Sequence, residues 1–129
     1  HKKMVGFKDS SVLLFAYHKK QPVAAVWLGI FDNQAWYMNT GIVKQGYDLL
    51  ANYLLVWEAI KYSKNKKLKT FDFEGIFDPR FPNDRQTWKK FSEFKKRFHG
   101  KIIEYPTPYI KIYNLGFKIF YTCTQKFYR

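Results

Sequence analysis

The stretch SVLLFAYHKKQPVAAVWLGIFDNQAWYMNTG, residues 11–41, sets two turn signals between three runs rich in β-branched and aromatic residues. It predicts a strand at 12–17, a polar turn His18-Lys19-Lys20-Gln21-Pro22, and a second strand at 23–31. The tight Asp32-Asn33 connection then leads into a third strand at 34–39. The middle run is almost continuously apolar, so both of its faces are expected to be covered. Gly29 within it marks a bulge or the close approach of another segment. Three successive antiparallel strands form a meander, and a meander needs a layer packed against it.

The next segment supplies that layer. In GYDLLANYLLVWEAIKYSKNKK, residues 46–67, Leu50, Tyr53, Leu54, Trp57 and Ile60 recur at three- and four-residue steps and predict one apolar helix face. Asp48 stands near the expected start and lysines crowd the end, as the helix dipole favours. Asn65 is the expected left-handed stop. KTFDFEG predicts a short strand at 69–74 closed by Gly75. A loop with Pro79 and Pro82 leads to a second helix at 88–98, ended by Gly100. KIIEY reads as another strand, Pro106 and Pro108 break the chain before YIKIYN, and LGFKIFYTCTQKFYR reads equally as helix or strand. The expected class is α/β in an α+β layering, a mixed and mostly antiparallel sheet with helices packed on it.

Composition narrows the partners. The 129 residues suit one domain, and 47% apolar with 21% aromatic residues means a folded core. The chain opens on His1 and its strand pattern is under way by Val12, so residues 1–129 are expected to be one partial domain of a longer chain. No apolar run approaches the roughly 18 residues of a membrane span and no signal peptide is present, which points to the cytoplasm. A single cysteine, Cys123, excludes an internal disulfide and a cysteine-ligated zinc cluster. His1, His18 and His99 lack metal-ligand spacing, so no metal is expected. Lys and Arg number 23 against 10 Asp and Glu, a formal charge of +13. Such a field favours nucleic acid, phosphorylated substrates or the acidic inner face of a membrane.

One cation stands apart from this coat. With FSEFKKRFHG, residues 91–100, wound at about 100° per residue from Trp88, Phe91, Phe94 and Phe98 fall near 300°, 240° and 280°. Lys89, Lys90, Lys96 and Arg97 spread over the opposite side, a solvated face. Lys95 falls near 340°, inside the aromatic stripe. Geometry therefore singles it out as a residue held against the protein or a cleft. Asp72 and Glu74, two apart on a predicted strand, share a face and could do acid–base work if one were desolvated. Asn52 and Glu58 project from different sides of the long helix and form no common site.

The order of meander, helix, strand and helix is also that of the GNAT-type acyltransferase fold. Three motifs in sequence resemble the Fem family, the peptidoglycan bridge-forming aminoacyltransferases, whose chains carry two GNAT-like domains. They are Asn52-Tyr-Leu-Leu-Val-Trp-Glu-Ala-Ile60, Phe71-Asp-Phe-Glu-Gly75 and Phe94-Lys95-Lys-Arg-Phe98. A tyrosine-rich end from Tyr105 follows, so the likeness runs from about Trp36 to Tyr113. Glu74 and His99 stand where the family pattern has glycine.

The resemblance implies transfer of an amino acid from an aminoacyl-tRNA to the stem-peptide amine of a peptidoglycan precursor. It implies no cofactor beyond the charged tRNA, a cytoplasmic location peripheral to the inner membrane face, and an inactive isolated segment. Lys95 is the expected catalytic residue. Phe94, Lys95, Glu74, Asn52 and Tyr37 are the expected substrate-binding residues, with Phe94 available as a stacking platform for the donor's terminal adenine. Two other readings compete. A CoA-dependent N-acyltransferase would need a glycine-rich turn before the long helix to bind pyrophosphate on backbone amides. VKQGYDLLA offers only Gly46 there. A non-enzymatic RNA-binding module would rest on the basic surface alone.

Overall fold

Both hairpins of the meander close with two-residue turns. The computed structural model, which describes Phe7 and residues 10–83, 85–106 and 110–125, contains β1 (Ser11–His18), β2 (Gln21–Phe31) and β3 (Gln34–Ile42), each antiparallel to the next. Lys19 and Lys20 join the first pair at φ 48° and 67°, and Asp32 and Asn33 the second at φ 49° and 58°. Left-handed angles at both central residues match the twist of the flanking strands. The first turn is thus shorter than the five-residue connection expected, and β2 runs back through Gln21 and Pro22. Proline lacks a ladder N–H and sits beside a register shift that skips Val23. The Val23 carbonyl instead accepts a hydrogen bond from Val43 N–H at 3.1 Å. A second shift, between Trp27 and Leu28, skips Met38 of β3. A Cβ on Gly29 would lie 3.3 Å from Met38 Cγ, so the close approach anticipated there is present.

The chain then leaves the sheet. A short helix α1 (Lys44–Asp48) and a long helix α2 (Ala51–Asn65) are separated by Leu50 at φ 53°. Asp48 therefore ends a short helix and does not begin a long one. α2 continues through Asn65, and the left-handed residue behind it is Lys67, at φ 56°. β4 (Thr70–Asp72) returns parallel to β3, giving a mixed sheet of order β1-β2-β3-β4. It is shorter than the 69–74 strand expected, because Glu74 turns left-handed at φ 58°.

The described chain divides into two compact units, His1–Gly75 and Ile76–Arg129. In the first, α2 packs across the sheet and touches β2 most extensively. Its buried residues are Ala51, Leu55, Val56, Ala59 and Ser63. Leu54 and Trp57, expected inside, are each 55% exposed. The small side chains explain the rotation: Ala51, Ala59 and Ser63 let the helix backbone approach the sheet, which bulky residues at those positions would prevent. Ala16, Ala24, Val26, Leu28, Ala35 and Tyr37 supply the sheet side of this core. Gly46 of α1 makes the tightest fit, since a Cβ there would lie 2.4 Å from the Val23 oxygen.

The second unit holds α3 (Trp88–Lys96) and α4 (Leu115–Gln125). Asn114 starts α4, its Oδ1 accepting from Phe117 N–H at 2.9 Å, which resolves the helix-or-strand ambiguity of that segment. α3 ends at Lys96, two residues before the expected Phe98, and His99 behind it, before the expected stop at Gly100, takes a left-handed angle, φ 56°. Residues 101–105 form no strand, contrary to expectation, and neither do residues 110–114. Ile102, Ile103, Tyr105 and Ile110 are all more than half exposed. High β-propensity yields a strand only where a neighbouring edge accepts it.

Candidate functional site

Lys95 is buried, with 6% of its surface exposed. Its Nζ lies 4.4 Å from the centroid of the Phe91 ring, within cation–π range. Phe91 stacks on Phe94 with centroids 6.1 Å apart, and Phe94 meets Phe98 edge-on at 5.5 Å. An ammonium therefore sits at one end of a ladder of three rings. Its neighbour Lys96 is solvated and pairs with Glu93 at 2.9 Å, as the helical angles predict. Lysine is among the residues least often fully buried, since its charge must be compensated.

The buried face of α3 is centred on Ser92 and Lys95, with Trp88 half-buried beside them. Phe91, expected at the middle of the buried stripe, is 36% exposed. Ser92 escaped the sequence reading. Its Oγ donates to Trp88 O at 2.7 Å and accepts from Phe77 N–H at 2.7 Å. The signal available in the sequence was the four-residue spacing from Trp88, which allows a helical serine to bond back to the preceding turn. Other aromatics of this unit also carry cations: Arg85 lies 4.4 Å from the Trp88 ring centroid and Lys89 4.9 Å from that of Phe77.

The first unit contains a concavity of about 460 Å³. Phe7, Ile30, Phe31, Trp36 and Met38 make its surface largely apolar, and Glu74 contributes the one carboxylate. Gly29 and Ser10 complete the lining. By strand alternation, Gly29, Phe31 and Trp36 point to the sheet face opposite Leu28, Ala35 and Tyr37. Glu74 donates its N–H to Asp72 Oδ1 at 2.6 Å. Asp72 is thereby occupied in closing the turn, and the two carboxylates do not form the same-face pair that a continued strand would have produced.

Tyr37 belongs to the core and not to this concavity. It is 3% exposed, and its ring centroid is 6.0 Å from that of Phe73. Burial raises the pKa of its hydroxyl, with a side-chain interaction from Thr40 pulling the other way. Asn52 is half-buried in the first turn of α2. Glu58, on that helix, is exposed and pairs with Lys61 at 2.6 Å. Glu74, Tyr37 and Asn52 thus lie in the first unit, and Phe94 and Lys95 in the second. Among the described residues no group of three His, Cys, Asp or Glu side chains could hold a metal ion. No helix among them is long and apolar enough to cross a membrane.

The profile of the FemAB family matches residues 8–126. No curated protein matches the chain in sequence. Among solved structures, the aminoglycoside antibiotic 6'-N-acetyltransferase AAC(6')-IG of Acinetobacter haemolyticus, in its apo form, is similar with a TM-score of 0.57. The likeness has 12% sequence identity and covers 86% of this chain and 77% of that one. At that identity the two share a fold, and the expected GNAT-like acyltransferase architecture is the one present.

Proposed function

The chain belongs to the FemAB family of acyltransferases, and from that premise we propose that it moves an amino acid from an aminoacyl-tRNA to the stem-peptide amine of a peptidoglycan precursor. In that step the amine nitrogen attacks the ester carbonyl of the donor. A C–N bond forms, the bond to the ribose oxygen breaks, and the amine's proton leaves with the released hydroxyl. Ester to amide is downhill, so the protein's task is alignment and stabilisation of the negative oxygen that develops on the carbonyl carbon. Lys95 is the group proposed for that stabilisation, and Phe94 beside it is a stacking surface for the donor's terminal base. The observation that carries the assignment is a lysine buried at 6% exposure on an aromatic ladder, within the motif where the Fem pattern places its Phe-Lys pair.

The donor is proposed to be tRNA with no added cofactor. Gly46 supports this, because its N–H donates to Val43 O at 2.9 Å and Tyr47 N–H bonds to the same oxygen. These two amides are turned to the chain's own carbonyl and not to a pyrophosphate. The basic surface suits tRNA and a peripheral position at the cytoplasmic face of the membrane.

The test is a transfer assay on the full-length protein with charged tRNA and a precursor pentapeptide. Lys95→Met keeps most of the aliphatic stem and removes the charge. Product formation should fall at least a hundredfold with the melting curve little changed. Wild-type rates in a folded Lys95→Met protein would remove this residue from the reaction. Amide formation from an acyl-CoA in place of charged tRNA would reassign the donor.

A further inference from the structure

We propose that the outward face of α1 and α2 is an interface between two copies of this chain, related by a two-fold axis near Leu54. Such a pairing does not depend on the reaction proposed above. Three features of the first unit lead to it.

The first is the side on which the large side chains lie. α2 turns Ala51, Leu55, Val56, Ala59 and Ser63 inward, so Leu54 and Trp57 fall on the opposite side of the helix, in solvent. Leu50, just ahead of them, is 61% exposed, and Val43, Tyr47 and Leu49 in and around the adjoining α1 are exposed as well. By exposed fraction these residues offer roughly 650 Å² per copy, above the roughly 300–600 Å² of the largest apolar patch on a typical monomer. A symmetric pair would bury about 1,300 Å², within the roughly 1,200–2,000 Å² of a stable interface.

Charge comes second. Between Val43 and Lys61 the charged residues are Lys44, Asp48, Glu58 and Lys61, which sum to zero in a chain of +13. Repulsion between two copies is therefore weakest at this face, and salt screens charges more than about 8 Å away. A polyanion gains nothing from a neutral apolar face, whereas a second copy of the face matches it. Antiparallel two-fold pairing also sets the Asp48 end of one copy against the Lys61 end of the other. Opposite charges then rim an apolar centre that holds a tryptophan.

The backbone comes third. Leu50 holds φ 53°, a left-handed angle that costs a leucine about 1–2 kcal/mol. In a lone copy that strain leaves a large apolar side chain in water. Against a second copy the same side chain is buried, and strain persists where contacts of this kind sustain it.

The experiment follows the mass of the full-length protein by sedimentation velocity over a hundredfold range of concentration. The wild type should pass from monomer to dimer. Leu54→Asp and Trp57→Asp, both at exposed positions, should weaken the dimer at least tenfold with the circular dichroism unchanged. Asp48→Lys and Lys61→Asp should each weaken it, and the two together should restore it, a rescue that a folding defect cannot produce. Leu54→Cys in a Cys123→Ser background should give a disulfide between copies on treatment with diamide, a crosslink absent from the Cys123→Ser parent. A monomer at every concentration, as when another segment or a different partner covers the face, overturns the proposal. So does a dimer that neither the aspartate variants nor the charge reversals weaken.

Discussion

Ser92 and Phe77 are joined by a hydrogen bond of 2.7 Å in which the serine hydroxyl accepts the backbone N–H. The same hydroxyl donates to Trp88 O, so one oxygen ties the loop before α3 to the first turn of that helix. Ser92 is 2% exposed, and nothing in solvent can replace it. Ser92→Ala leaves a part-buried N–H unpaired, a loss of about 1–3 kcal/mol. Urea denaturation should register the destabilisation, and hydrogen exchange at Phe77 should accelerate by at least tenfold. Exchange at the wild-type rate would mean that this tie does not hold the loop.

Gly46 admits no side chain. Its Cβ position lies 2.4 Å from the Val23 oxygen and 2.8 Å from Ile42 Cγ1. The first of these is rigid backbone, so Gly46→Ala must push α1 off β2. Overpacking of this kind costs about 1–3 kcal/mol. A lower denaturation midpoint with an unchanged slope is the expected result.

Glu74 and His99 sit at φ 58° and 56°, and both stand where the Fem pattern carries glycine. Glycine at each should raise stability by up to about 1 kcal/mol, after allowance for the freedom it adds to the unfolded chain. Thermal melts of the single and double variants measure this directly. A fall in melting temperature for His99→Gly would show that its exposed side chain does more than occupy a turn.

Tyr37 links stability to alkaline pH. Its hydroxyl titrates above the ordinary tyrosine value of 10.0 because burial disfavours the phenolate. A raised pKa means that the folded state holds its proton after the unfolded state has lost it. The corresponding stability is complete below pH 10 and declines as pH climbs toward the folded value. In absorbance titrations of phenolate, Tyr37→Phe should remove a transition that lies above the ordinary tyrosine value. Loss of a transition at or below the ordinary tyrosine value in its place would contradict the burial of this hydroxyl.

The meander was readable because Asp32-Asn33 and the alternating apolar residues around it fit one turn type and one period. Lys95 was readable too, because a cation at a stripe angle conflicts with the periodicity of its own helix. The buried face of α2 was not. Hydrophobicity ranks Leu54 and Trp57 above Ala51 and Ala59, yet close packing chose the small residues. Strand propensity at 101–105 likewise counted for nothing without a sheet edge to join. The left-handed angles at Glu74 and His99 were not read from the sequence, although both residues stand where the Fem pattern has glycine, the residue that adopts such angles without strain.

The two-residue connections at Lys19-Lys20 and Asp32-Asn33 place most partners in the sheet within about twenty positions of one another along the chain. Such near neighbours can meet while synthesis is still under way. The three-stranded ribbon is then expected to assemble in microseconds and wait for α2 to emerge and cover it. Lengthening either connection should slow refolding far more than it speeds unfolding.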